Sequence, residues 1–206
     1  MVQILFGSFL LSLIHVLLPS HWLPLVALAR AEKWTRMQTL RFTLLLGLAH
    51  VLSTVGLGIV LGLIGKRLAT ELEFFGHLLA PLLLILLGLV YFSLNSGHSH
   101  HEHLPSEKSL KKLKPATVLL TMAAAMFFSP CLEIESYFLS AGAFGNAAII
   151  SVAVIYTLVT IIGMLALVGF TLSGLHRLNL HFMEHHEKRI TGTVLILTGV
   201  IGFFAA

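Results

Sequence analysis

The sequence has few charged residues. Of its 206 residues only 11% are charged, whereas 57% are hydrophobic, and the mean hydropathy is +0.94. A typical soluble domain has about 25% charged residues, so the composition predicts an integral membrane protein with no soluble domain. The basic residues are dispersed at the ends of apolar runs rather than clustered, so we expect the lipid bilayer, and no nucleic acid, as a partner.

Cysteine and aspartate are also scarce. Cys131 is the only cysteine, which excludes an internal disulfide and dithiol chemistry within one chain. Aspartate is absent, so all nine acidic residues are glutamates. Only Glu133 and Glu135 lie well inside an apolar run, and this makes them candidates for a functional role.

The apolar residues form six runs, at about 2–18, 40–65, 74–95, 116–142, 146–172 and 190–206. About 20 apolar residues cross a bilayer as a helix, and the continuous runs do not alternate as strands of a barrel would. We therefore predict an all-α membrane protein with six transmembrane helices. Two three-helix repeats, 1–95 and 116–206, would flank a polar loop at 96–115.

Basic residues concentrate in the first, third and fifth connections between the runs. By the positive-inside rule these connections are cytoplasmic, which places both termini outside and the polar loop inside. The expected location is the inner membrane of a bacterium. Since each half has three helices, the second half enters the membrane from the opposite side, and the repeat is inverted.

Prolines interrupt the first and fourth runs at corresponding places. The segments LLPSHWLPLVALA and FFSPCLEIESYFLSAGA both have a Pro beside a Ser, a metal-binding side chain and a second apolar stretch. Because proline lacks an amide hydrogen, we expect breaks or kinks at Pro19, Pro24 and Pro130. Interrupted helices at matching positions of inverted repeats indicate a transporter's binding site. The alternative is that these prolines only bend helices for packing.

Ionisable side chains inside the runs are the candidate ligands, because each costs at least ~2.5 kcal/mol to insert into a bilayer. A helix broken at Pro19 allows His15 and His21 to converge. Cys131 and Glu135 share a helical face, whereas Cys131 meets Glu133 only if the chain is extended after the proline. Imidazole, thiolate and carboxylate together suit Zn, Ni, Co or Cu. The predicted metal ligands are His15, His21 and Glu135, followed by Cys131, Glu133 and His50.

The polar connections contain two histidine clusters, which we predict to capture metal ions on the cytoplasmic side. A solvated surface is the alternative for each. The pattern HExxH is absent from both, so nothing supports a zinc protease. The loop cluster comprises His98, His100, His101 and His103, and the second comprises His181, Glu184, His185 and His186.

The segment HVLLPSHW resembles the signature of nickel/cobalt transporters of the NicO and NiCoT type, in which two histidines of an early transmembrane helix bind the carried metal. This sequence has Ser20 where that family has Asp, and Glu133 or Glu135 would supply the missing charge. The segment FFSPCLEIESYFLSAG is similar to the Pro-Cys motif of the superfamily that contains DsbD, CcdA and urease accessory protein H-like proteins. Those electron carriers use one cysteine in each half.

Together these features predict a transporter, not an enzyme, for divalent transition-metal ions such as Ni, Co or Zn. We expect efflux coupled to protons, with the metal ion as the substrate and no organic cofactor. A homodimer is left open. A redox carrier is the first alternative, and it would have to pair Cys131 across two chains. The second is a membrane-embedded metalloenzyme that holds its metal permanently with water as a further ligand.

Overall fold

The computed structural model describes residues 1–72, 75–93, 115–173 and 181–204, with the backbone alone at 19–21, 76–77, 91, 115–116 and 181–188. All regular secondary structure in these ranges is helical, which confirms the predicted all-α class. A π-helical turn, Phe75–Leu79, precedes α4. The helices are α1 Val2–Leu17, α2 Pro19–Ala31, α3 Arg36–Glu71, α4 Ala80–Ser93, α5 Pro115–Phe127, α6 Leu132–Gly142, α7 Asn146–Leu172 and α8 His181–Phe204.

Three helical stretches are long and apolar enough to cross a membrane, namely Val2–Ala31, which joins α1 and α2, then α3 and α7. The pair α5 and α6 makes a fourth if it counts as one span, with a bend of 43° between its segments. The apolar parts of α4 and α8, Ala80–Val90 and Arg189–Phe204, are shorter. The described residues thus provide three or four spans, and the six-span inverted repeat is not confirmed.

The helix bounds differ from the apolar runs where polar residues extend a helix. The run 146–172 coincides with α7, but α3 begins at Arg36, before the run. Its start is fixed by a capping box in which Thr35 and Gln38 bond reciprocally. Similarly, α8 begins at His181, so part of the predicted fifth connection is helical. The loop 96–115 lies outside the described residues, except that Pro115 begins α5.

The chain leaves the helical conformation beside two of the three prolines. Leu18, with φ −67° and ψ 127°, separates α1 from α2, which begins at Pro19. A residue before proline avoids the helical region, while proline itself fits the first helical turn. The second interruption, 128–131, contains Pro130 and ends with Cys131 extended at φ −77° and ψ 97°. Pro24 lies inside α2 without ending it, so of the predicted break or kink no break occurs there.

Helix α6 lies at the centre of the bundle. Its side chains Tyr137 and Phe138 are fully buried, and Tyr137 donates a hydrogen bond to Thr198 Oγ1 of α8 at 2.9 Å. Gly142 packs backbone to backbone against Gly62 of α3, an approach that a Cβ would block. By contrast, α3 and α7 expose large apolar side chains such as Leu52, Leu63 and Ile162. The packing therefore places α6 and its first turn inside the protein.

Candidate metal centre

Three side chains that commonly bind metals meet where the two interruptions lie. His15 is in the last turn of α1, Cys131 is the N-cap of α6, and Glu133 is in the first turn of α6. One ligand atom from each residue lies within 4.8 Å of the other two. The Cys131 Sγ is 3.4 Å from His15 Nδ1, and the thiol donates to Glu133 Oε2 at 3.1 Å. The cluster thus joins residues 116 positions apart in the sequence.

The backbone at Cys131 explains why this residue meets Glu133. A regular helix would place side chains two positions apart on different faces, but Cys131 is extended and precedes the first turn of α6. Its backbone N–H donates to Thr54 Oγ1 of α3 at 3.2 Å, which holds this conformation. The sequence predicts that Cys131 meets Glu133 only if the chain is extended after Pro130, and Cys131 has this extended conformation.

The hydrogen bonds of His50 indicate which nitrogen of neutral His15 carries the proton. The His50 Nδ1 lies 3.3 Å from the Met126 carbonyl, which only accepts, so Nδ1 carries the proton of neutral His50. The His50 Nε2 then accepts from the Tyr156 hydroxyl at 3.0 Å and from His15 Nε2 at 3.3 Å. In this tautomer the proton of neutral His15 is on Nε2, and Nδ1 faces the Cys131 Sγ at 3.4 Å. This is the nitrogen with which a neutral imidazole binds a metal.

The centre is shielded from solvent. The side chains of His15, Cys131 and His50 are 8%, 4% and 2% exposed, and Glu133 is partly buried. The His15 and His50 rings are nearly parallel, with an interplanar angle of 6° and centroids 5.5 Å apart. Imidazole nitrogen, thiolate sulfur and carboxylate oxygen form a donor set suited to zinc, nickel or cobalt. Three such ligands leave at least one coordination position for water or a further residue.

The described members of this group do not include the other predicted ligands. Glu135 is buried in α6, and among the described side chains it does not belong to the group of His15, Cys131 and Glu133. His50 touches the group through His15 rather than joining it. His21 is placed by its backbone in α2, and its side chain is outside the described part of the chain. The same holds for the side chains of His181, Glu184, His185 and His186, while the loop residues His98, His100, His101 and His103 lie wholly outside the described residues.

Sequence reasoning missed the residues that orient the ligands. Thr54 in α3 contacts the centre at Cys131, whereas Tyr156 in α7 and the Met126 carbonyl at the end of α5 contact His50 behind it. A phenol in the middle of the apolar run 146–172 was a signal for Tyr156, because a buried tyrosine hydroxyl usually has a hydrogen-bond partner. No local pattern indicates that this partner is His50, which is 106 residues away.

In the described residues, the regular secondary structure is helical, some helices are long and apolar enough to cross a membrane, and His, Cys and Glu form a largely buried cluster. No protein-family model, curated protein sequence or solved structure matches the chain. The resemblances to nickel/cobalt transporters and to the DsbD and CcdA superfamily therefore remain predictions. Any function has to be argued from the centre itself.

Proposed function

We propose that the protein is a membrane transporter for a divalent transition-metal ion, with nickel, cobalt and zinc as candidate substrates. The observation that carries the proposal is the meeting of His15, Cys131 and Glu133 within 4.8 Å inside the bundle. Each of these residues lies in a helical stretch that is a candidate membrane span, close to the point where the helix is interrupted. A packing role does not require three side chains that are so costly to bury.

The charge of the cluster matches a divalent cation. When the Cys131 thiol loses its proton, thiolate and Glu133 carboxylate together carry two negative charges, while His15 binds as a neutral imidazole. A bound M²⁺ ion therefore makes the centre electrically neutral, which lowers its cost in a medium of low dielectric constant. Because binding displaces the thiol proton that now points to Glu133, exchange of metal for protons is the natural coupling.

The interruptions favour transport over a permanent structural site. Structural zinc sites enclose the ion with four protein ligands, whereas this centre offers three, carried at helix ends beside Leu18 and 128–131. Irregular backbone at membrane depth is tolerated where it is buried in protein or lines a cavity, and it is typical of transporter binding sites. Rotation of α1 against α6 about these segments would separate His15 from Cys131 and release the ion.

Efflux is the proposed direction. It rests on the sequence alone, because the histidine-rich loop that would collect surplus ion on the cytoplasmic side is outside the described residues. Flux measured in both directions across oriented vesicles decides it.

The decisive experiment measures metal flux into proteoliposomes that contain the full chain, with an enclosed fluorescent chelator and external Zn²⁺, Ni²⁺ or Co²⁺. We expect flux for at least one ion, and loss of that flux in Cys131→Ala and His15→Ala. The matched control is Ser140→Ala, a small buried polar residue of α6 that lies outside the cluster. Flux that persists in Cys131→Ala would refute the proposed centre.

A membrane-embedded metalloenzyme is the second candidate, favoured by the same open coordination position. Catalytic zinc sites have three protein ligands and a water. This candidate predicts bound metal that does not exchange and no flux in any variant. Elemental analysis of the purified protein, followed by exchange against an excess of a second metal, separates the two functions.

A further inference from the structure

Glu135 is a buried carboxylate whose surroundings do not satisfy it. The residue is 5% exposed, and neither carboxylate oxygen has a hydrogen-bond partner among the described residues. Within the described part of the chain, an ionised carboxylate here has no hydrogen-bond donor, and a protonated one has no acceptor for its O–H. Its burial is therefore unfavourable in either state, and a side chain kept there at such a cost calls for a ligand.

The position of Glu135 is set by its neighbours along α6. Phe138 and Gly142 recur on one face of α6 at helical spacing, and they contact α3 at Gly58 and Gly62. Glu135 lies on this same face, one and two turns before them. It is two residues, about 3 Å along the helix axis, from Glu133 of the metal centre. Glu135 thus lies at the interface of α6 with α3, deeper in α6 than the metal centre.

We propose that Glu135 is a second cation position, which receives the metal ion from the centre of His15, Cys131 and Glu133 during transport. This inference rests on the proposed function. A divalent cation at Glu135 would satisfy the carboxylate oxygens, which have no hydrogen-bond partner among the described residues. Glu133 and Glu135 are two residues apart in α6, about 3 Å along its axis, so the ion needs to move by only a few ångströms along the helix.

The test compares equilibrium binding with flux, using Co²⁺ as the probe on the full chain. Cobalt bound to a thiolate has a charge-transfer absorption that reports on the Cys131 centre alone. In Glu135→Gln we expect this absorption and its Co²⁺ titration to be unchanged, while the initial rate of Co²⁺ flux falls about tenfold or more, as expected for one lost charge-assisted contact. In Glu133→Gln we expect both the charge-transfer absorption and the Co²⁺ flux to be lost.

Two further variants keep the test decisive. Glu71→Gln removes an exposed carboxylate at the end of α3 and is expected to leave flux unchanged. Glu135→Leu removes the unsatisfied group, so it is expected to fold at least as well as the unaltered chain and to lose flux as Glu135→Gln does. Unchanged flux in both Glu135 variants would overturn the inference while leaving the proposed function intact. Absence of flux in the unaltered chain would instead overturn the proposed function itself.

Discussion

Replacing Tyr156 by Phe tests whether the hydrogen-bond chain behind His15 sets the metal affinity. The substitution keeps the ring and removes the hydroxyl that donates to His50 Nε2 at 3.0 Å. Loss of such an outer partner typically lowers metal affinity about 10- to 100-fold. His50 keeps its contacts to Met126 and His15, both at 3.3 Å, so its ring stays oriented. We therefore expect the lower end of the range, about tenfold or ~1.4 kcal/mol.

The assay is competition for Zn²⁺ between the purified protein and a chelator of known affinity. Tyr137→Phe is the matched control, because Tyr137 is also fully buried and its hydroxyl donates to Thr198 Oγ1 at 2.9 Å. Both variants lose one buried hydrogen bond, so both should lose a similar stability of about 1 kcal/mol. Only Tyr156→Phe should bind Zn²⁺ more weakly. Equal Zn²⁺ affinity in all three proteins, or an equal loss in both variants, would refute the reasoning.

Two further substitutions test the packing of α6 and its first turn. Gly142→Val places side-chain carbons against the Gly62 carbonyl and within 2.5 Å of the Lys66 backbone nitrogen, so we expect destabilisation by about 1–3 kcal/mol or more in thermal unfolding. Gly56→Ala, with open space around its Cβ, should be neutral or slightly stabilising, and a reversed order would contradict the packing. Cys131→Ser should abolish Zn²⁺ binding yet stabilise the apoprotein by up to about 1 kcal/mol relative to Cys131→Ala, because serine caps a helix N-terminus better than alanine does. Equal stability of these two variants would show that residue 131 does not act as the cap of α6.

The interruptions were predictable because they depend on local chemistry. A proline restricts the residue before it and cannot donate its own amide hydrogen, so Pro19 and Pro130 mark breaks from sequence alone. Pro24 follows the same rule but lies one turn inside α2, where the helix continues. A single sequence does not show whether neighbouring helices satisfy the freed carbonyl group. The prolines therefore indicate candidate breaks, and tertiary packing decides between them.

The choice between Glu133 and Glu135 was not predictable. It depends on the ψ angle of Cys131, because a helical value would direct the thiol towards Glu135 and the observed 97° directs it towards Glu133. That angle is held by the hydrogen bond from the Cys131 backbone to Thr54, which is 77 residues away in the sequence. Spacing within one helix cannot reveal such a long-range contact. The sequence therefore identified the residue types that meet here, and which of them are in contact follows from the packing of α6 on α3.

The two interrupted helical stretches bring different groups to the centre, a neutral imidazole from the first and acidic groups from the second. This difference relates to the position beside His21, where the sequence has no aspartate. In the resembling transporters the carboxylate accompanies the histidines in the first half, whereas here the described part of that half brings the neutral imidazole of His15. Both groups that can become anionic, Cys131 and Glu133, come from α6, and Glu133 rather than Glu135 is in contact with the thiol. In the proposed site the two groups that would attract M²⁺ electrostatically thus belong to one helix, and the neutral nitrogen ligand belongs to the other. Moving α1 away from α6 would then remove the nitrogen ligand first and leave the ion neutralised by α6, next to Glu135 on the same helix.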